Sequence, residues 1–232
     1  MIRRLNLGTV AMAVAMSVAV ASTQSGTSTT SKPASSAQTA KPAAPQTAKP
    51  KATTPAAKPA PARAVVPKSP DAGPVIVVET ARGTFEFETY PKDAPKTVEH
   101  IVTLVKRNFY NGQRIHRVEK NPPFVIQFGD PQTKDARLQE LWGTGGSGKP
   151  IGVAEIKRPH KLGAVAMAHA AGDPEGADSQ MYVALSIERT RALDGMYTVF
   201  GQVISGMDVV QAIQKNDVIK RVTIRPETPA AK

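Results

Sequence analysis

No aromatic residue occurs before Phe85, and nine of the chain's 20 prolines lie between Pro33 and Pro70. Ala, Pro, Lys, Ser and Thr cannot bury enough apolar area to offset the entropy of ordering a chain, so this stretch builds no core. Folding is confined to the residues C-terminal to it. The 232 residues divide into residues 1–21, 22–71, 72–228 and a short C-terminus, 229–232, that is expected to fray. The third part is long enough for one ordinary domain with a real core.

The same division relocates the charge. Residues 1–73 carry nine Lys/Arg against the single acid Asp71, so most of the formal net charge of +11 belongs to the tail. A nucleic-acid binder needs its basic residues on a folded face, so no nucleic-acid partner is expected. The chain has no cysteine, which excludes disulfides, zinc–thiolate and iron–sulfur sites, a cysteine nucleophile and a lipidated N-terminal cysteine. It is also compatible with an oxidising compartment.

Residues 1–21 have a basic start (Arg3, Arg4), an apolar run and an Ala19-Val20-Ala21 ending. This is the three-part pattern of a secretory signal peptide, with cleavage expected after Ala21. The run is short and weakly apolar for a spanning helix, although an uncleaved signal would leave the protein anchored. The expected location is outside the cytoplasm, in the periplasm or cell envelope. Residues 22–71 repeat Thr-Ala-Lys-Pro at 39–42 and 47–50. They are expected to be a disordered, semi-rigid tether reaching about 150 Å if extended at about 3.1 Å per residue. The plain reading is a solvated spacer; the alternative is contact with envelope surfaces through its lysines.

In the third part, residues 75–80 and 84–90 are rich in strand-forming side chains, Thr84, Glu86 and Glu88 alternate with Phe85 and Phe87, and Ala81-Arg82-Gly83 between the two runs supports a hairpin. Asp93 suits a helix N-cap and Pro95 its first turn, and Val98, Ile101, Val102 and Val105 supply the apolar face. Strand-like runs follow at 114–118, 124–128, 162–168, 181–185 and 198–204, then an amphipathic helix near 207–214 and a last strand at 218–225. Seven or more strands with two helices predict a mainly β protein, a closed barrel with helical caps, because closure removes sheet edges.

Gly143-Thr144-Gly145-Gly146-Ser147-Gly148-Lys149-Pro150 satisfies G-x-x-x-x-G-K. It lacks the Ser or Thr after the lysine and the flanking strand and helix of a phosphate loop, so it reads as a surface turn. The histidines His100, His116, His160 and His169 have no paired ligand spacing, and no metal or other cofactor is expected. No G-x-S-x-G occurs, and nothing else marks a nucleophile. What remains is Phe124-Val125-Ile126-Gln127-Phe128. Alternation puts Phe124, Ile126 and Phe128 on one face and Val125 and Gln127 on the other. A polar Gln127 in an apolar run needs a partner, and Arg117 could lie beside it on a neighbouring strand.

These stretches resemble a cyclophilin, a peptidyl-prolyl cis-trans isomerase. The matching runs, in order, are residues 93–112, Ile115-His116-Arg117-Val118, the stretch from Phe124 to Asp130, Gly143-Thr144-Gly145-Gly146, and Val165-Ala166-Met167-Ala168. They continue through Asp178-Ser179-Gln180-Met181-Tyr182-Val183, Leu193-Asp194-Gly195 and the stretch from Thr198 to Val203. Together they span roughly 74–226. The resemblance implies a closed eight-stranded antiparallel barrel capped by two α-helices, with its site on the outer face. It puts Arg117 at the catalytic position. Phe124, Val125 and Gln127 stand on one wall, Ala168 and His169 on an edge, and Gln180, Tyr182 and Leu193 at the proline pocket. Tyr197 stands where many members have His, Ala192 where many eukaryotic members have Trp, His169 where Asn is common and Tyr182 where Phe is usual.

The implied partners are unfolded or flexible proline-containing polypeptides, met as exported proteins fold. Turnover needs no nucleophile, metal or cofactor. The alternative is a non-catalytic module or chaperone that holds the same peptides in the same groove. Nothing in the domain demands an oligomer, and a monomer is the default.

Overall fold

The structure is a computed structural model and describes residues 69–226. The expected signal segment, nearly all of the tether and the expected frayed C-terminus lie outside the described residues.

The hairpin forms as expected. Strands β1 (Val75–Thr80) and β2 (Gly83–Thr89) pair antiparallel, with Thr80 opposite Gly83, so Ala81-Arg82 is a two-residue turn. Ile76, Val78, Phe85 and Phe87 point to the interior and are buried. Six more strands follow: β3 (Arg117–Lys120), β4 (Pro123–Phe128), β5 (Ala164–Met167), β6 (Met181–Ala184), β7 (Val199–Ser205) and β8 (Ile219–Ile224). They make one sheet in the order β3-β4-β6-β5-β7-β2-β1-β8. Register shifts between Glu79 and Thr80, Glu86 and Phe87, and Val165 and Ala166 bend the strands, as bulges do, and curl the sheet.

The curl does not close. The structure is an open half-barrel, which corrects the closed barrel expected from the strand count. Strands β3 and β8 stand at the two ends of the order and share no ladder. Main-chain contact across the seam is the single bridge of Arg114 with Val218 and its flanking bonds, such as Ile115 N–H to Asp217 O at 3.0 Å. The physical reason is that β3 begins only at Arg117, not at residue 114. The segment that would have completed the ladder instead runs as irregular chain. Beyond the bridge the seam is fastened by a side chain: the Lys120 ammonium donates to the carbonyls of Gln211 and Ile213. These lie at the C-terminal end of helix α3 (Met207–Ala212), where a cation suits unpaired carbonyls.

Three α-helices are described, not two. Helix α1 (Pro95–Lys106) turns Val98, Ile101, Leu104 and Val105 into the core, and α2 (Ile187–Thr190) is one turn beside β4. The N-cap of α1 is Ala94, with no side-chain cap. Asp93, expected there, instead pairs with Arg158. The orphan amides of α1 find a distant acceptor: the largely buried Glu155 carboxylate accepts from Lys96 N–H at 3.0 Å, Thr97 N–H at 2.9 Å and the Thr97 hydroxyl at 2.8 Å. A carboxylate there also suits the positive end of the helix dipole.

The main core fills the concave side of the sheet and the underside of α1. A second, smaller apolar group of Val125, Ala164, Ala166, Tyr182, Ala184 and Val199 covers the opposite face. Strand alternation produces both, because β4, β5 and β6 bury each face.

Candidate active site

The second apolar group supplies a floor. Phe124, Ala168, Leu193 and Tyr197 pack on it, each partly exposed, so the outer face of β4, β5 and β6 carries an apolar hollow. Phe124 departs from its expected face. It joins Val125 on the outer group instead of Ile126 and Phe128 inside. It stands at the start of β4, where pairing with β3 slips between Val118 and Lys120, so the alternation of the strand interior does not reach it. Two guanidiniums lie near its ring: Arg117 Cζ at 5.8 Å from the centroid and Arg189 Cζ at 5.1 Å.

Beside the hollow runs a row of polar side chains. Arg117 lies opposite Gln127 in the β3–β4 register, and Gln127 opposite Tyr182 in the β4–β6 register. Arg117 Nη1 donates to Gln127 Oε1 at 3.1 Å, and Gln127 Nε2 donates to Gln180 Oε1 at 2.9 Å. Gln180 Nε2 then donates to the carbonyls of Gly143 and Gly145 at 2.9 and 2.8 Å. Each amide has its oxygen and nitrogen fixed by a partner, so the row can adopt only one orientation. Arg117 is itself half-exposed, and its Nε donates to Glu119 Oε1 at 2.8 Å. Its Nη2 lies 2.6 Å from the same oxygen, so these contacts engage three of the five guanidinium N–H groups and leave one on each Nη for a ligand. A planar, permanently charged donor over an apolar hollow suits a peptide carbonyl.

The glycine-rich loop supports this row. Asp130, fully buried, accepts from Gly143 N–H at 2.6 Å, Gly145 N–H at 3.0 Å and Gln132 N–H at 2.8 Å. Asp178 accepts from Gly148 and Lys149 N–H at 2.9 and 3.2 Å and from the Ser147 hydroxyl. The amides that a phosphate would require are therefore held by the chain's own carboxylates. A side chain at Gly145 would fall 2.5 Å from Asp130 and at Gly146 2.5 Å from Asp178. The glycines are there to let the carboxylates in.

Behind the hollow, the Tyr182 hydroxyl lies 2.7 Å from His160 Nε2, and His160 Nδ1 lies 2.7 Å from Asp194 Oδ1. A carboxylate can only accept, so Nδ1 carries its proton toward Asp194. In the neutral imidazole Nε2 then accepts from the phenol. Burial pushes the Tyr182 hydroxyl far above its ordinary value, which keeps it a donor. Tyr182→Phe would leave His160 Nε2 buried without a partner. We expect it to lower stability by about 1–2 kcal/mol and to change peptide turnover less than about threefold, since the hydroxyl is taken up behind the hollow. Urea unfolding and peptide kinetics on the same sample check both; a large loss of turnover with stability intact would contradict this placement.

His169 is set apart from the row. Its ring stacks on Tyr197 at 4.3 Å, with nitrogens near Ala170 O and Met196 O. With Ala168, Gln127, Gln180 and the glycine loop it lines a second, adjoining cleft of about 730 Å³. Thus Arg117, Gln127 and Gln180 form one array and Phe124, Val125, Ala168, Tyr182, Leu193 and Tyr197 one apolar surface, with His169 at the far edge. Sequence reasoning missed Asp130, His160 and Asp194 as parts of this site. A tyrosine in the expected pocket was the available signal for His160, because a buried phenol needs a partner.

His116, next to Arg117, is buried, and its Nδ1 has no protein partner. Burial holds its imidazole below the ordinary value. The folded state thus binds the proton less readily than the unfolded chain. Stability is full above about pH 6.5 and falls as pH drops below it. Asp194 and Asp217, held low by their partners, add losses only below about pH 4. His116→Gln is expected to flatten the upper part of this dependence; an unchanged slope would rule His116 out as its source.

Residues 75–229 match the family model described as cyclophilin type peptidyl-prolyl cis-trans isomerase/CLD. This chain belongs to the cyclophilins. A peptidyl-prolyl cis-trans isomerase of Helicobacter pylori is 39% identical over 149 residues, covering 62% of this chain and 83% of that relative. Peptidyl-prolyl cis-trans isomerase B of Bacillus subtilis is 38% identical over 141 residues, covering 60% and 89%. A crystal structure of a Cryptosporidium parvum cyclophilin type isomerase shares the fold with a TM-score of 0.57 at 24% identity, over 67% of this chain and 99% of that one. A second crystal structure of that protein was obtained in the presence of the dipeptide Ala-Pro; it has a TM-score of 0.56 at 24% identity, over 66% and 99%. This cyclophilin is an isomerase of peptidyl-prolyl bonds.

Proposed function

We propose that this cyclophilin accelerates X-Pro isomerisation in exported polypeptides, with Arg117 as its catalytic residue and the outer-face hollow as its proline pocket. The observation that carries the reading is the fixed row from Arg117 through Gln127 to Gln180 beside the hollow of Phe124, Tyr182 and Leu193. Rotation about a peptide bond must cross about 18–20 kcal/mol because it breaks amide resonance, and X-Pro isomers exchange over tens of seconds or longer. A catalyst must bind the twisted bond better than either planar form. The proline ring enters the hollow. Arg117 donates to the substrate, anchoring a carbonyl and favouring a proline nitrogen freed from resonance. Gln127 and Gln180 keep the guanidinium from turning away, and the edge near Ala168 and His169 holds the peptide backbone.

Export is supported by the signal pattern of residues 1–21. Slow X-Pro exchange gives a folding catalyst work outside the cytoplasm. Exchange spectroscopy on a free Ala-Pro peptide with the protein at catalytic concentration tests the activity. Faster exchange, lost in Arg117→Ala, supports the reading; binding shifts without faster exchange would make the groove a holding module. The N-terminal sequence of protein recovered from the envelope tests export: a start at Ser22 supports it, and a retained Met1 in the cytosolic fraction refutes it.

A further inference from the structure

The groove continues past the hollow. Leu185 N–H, just beyond β6, bonds Phe124 O at 2.8 Å, and Ala168 N–H bonds Gln180 O at 2.9 Å. Phe124 and Ala168 therefore stand level with Leu185 and Gln180, five residues apart along β6, or about 17 Å at about 3.4 Å per residue. A peptide held at Ala168 and His169 and filling the hollow leaves it at Phe124. There a further cleft of about 550 Å³ opens between the β3–β4 turn and α2, lined by Val118, Glu119, Lys120, Asn121, Pro122 and Arg189.

Arg189 is the uncommitted charge of this cleft. The Lys120 ammonium is taken by the carbonyls of Gln211 and Ile213. Glu119 is held by Arg117, whose Nη2 lies 2.6 Å from its Oε1. Arg189 has no hydrogen-bond acceptor among the described residues; its guanidinium lies over the Phe124 ring, with Cζ at 5.1 Å from the centroid. The main chain sets it there. Leu185, two residues before α2, is bonded to Phe124 itself, and the Thr190 hydroxyl closes the single turn on Ser186 O at 2.5 Å. Contact over a ring uses the face of a guanidinium and leaves its in-plane N–H groups free. Those groups match a carboxylate, two parallel donors against two oxygens. Glu188 precedes Arg189 on α2, but adjacent helical residues do not face each other.

We propose that this cleft is a subsite for an acidic side chain of the substrate, and that Arg189 makes the enzyme prefer X-Pro bonds with Asp or Glu within two residues of the proline, on the side that leaves past Phe124. This rests on the assignment of the hollow as the proline pocket. Two extended residues carry a side chain about 7 Å beyond the proline, past Phe124 and into reach of a guanidinium 5.1 Å from that ring. The Glu119 carboxylate on the facing wall is offset by its pair with Arg117, so the field of the cleft is positive. An exposed pair of this kind is worth a few-fold in affinity and is screened by salt.

The test uses the full chain and the end-blocked peptides Ala-Ala-Pro-Ala-Glu and Glu-Ala-Pro-Ala-Ala, each beside its counterpart with Gln in place of Glu. At low salt the placement that leaves past Phe124 is expected to raise kcat/KM about three- to fivefold over Gln, mainly through KM; the other placement gives a ratio near one. Arg189→Gln brings the raised ratio to near one, Arg189→Lys keeps part of it, and about 0.5 M NaCl abolishes it in the wild-type chain. Arg191→Gln removes the same charge from the following turn and leaves the ratio in place. A wild-type ratio near one at both placements, or a ratio that survives Arg189→Gln, overturns the proposal and leaves the isomerase reading standing. An equal gain at both placements, or an equal loss in Arg191→Gln, assigns the effect to overall charge and also overturns it. No turnover of the Gln peptides overturns the pocket assignment and the subsite with it.

Discussion

Arg117→Ala lowers kcat/KM for an X-Pro peptide by about 100- to 1000-fold, the usual cost of removing one preorganised donor from developing charge. Among the described residues the guanidinium bonds Glu119 and Gln127, both at an exposed edge. Exposed pairs contribute about 0–1 kcal/mol, so the unfolding free energy should barely move. Arg117→Lys keeps the charge but loses the planar fork; it is expected to recover about tenfold of the loss at most. Peptide exchange rates and urea unfolding on each variant check the pair of statements. If Arg117→Ala turned over peptide at the wild-type rate, the row from Arg117 to Gln180 would be structural only.

Asp130→Ala is the second large effect, and it strikes stability first. Asp130 is fully buried and accepts from three backbone amides. Alanine leaves all three without an acceptor, and each bond to a charged group is worth about 1.5–3 kcal/mol, not fully additively. The expected loss is about 3–5 kcal/mol, a large share of a typical domain's total. The same change releases the carbonyls of Gly143 and Gly145 that hold Gln180. Turnover per folded molecule should therefore also fall, by about tenfold, through poorer positioning. Asp130→Asn keeps one acceptor oxygen but turns an amide N–H2 toward either Gln132 N–H or the two glycine N–H groups, so it should recover only part of the stability. A variant as stable as wild type would mean that the loop is held elsewhere.

The sequence made the strands legible because their signals are local: the β-branched run of residues 75–80 and the alternation of residues 84–88 announce themselves within their own length. The pairing of Arg117 with Gln127 was only half legible: a polar Gln127 in an apolar run called for a partner, but that Arg117 faces it is set by the β3–β4 register, which no single run carries. Closure was not legible. Whether β3 and β8 meet depends on where β3 begins, and nothing in residues 114–118 separates a ladder from irregular chain with one bridge. The capping of α1 by Glu155 was hidden because acceptor and helix lie about sixty residues apart, whereas Asp93 stood in the local pattern. The Asp194–His160–Tyr182 line was hidden likewise: three residues from three segments meet only after the sheet has formed. Phe124 was misassigned because alternation was carried one residue past the regular part of β4.

The open seam has a consequence for how this enzyme fails. Arg117 rides on a marginal strand, zipped to β4 alone, whereas Gln180 and Tyr182 belong to the well-flanked middle of the sheet. Local opening at such a margin costs less than global melting. Amides of β3 should accordingly exchange with deuterium sooner than those of β6. On warming, the guanidinium should be lost from the groove while the core is still intact, so that inactivation precedes denaturation.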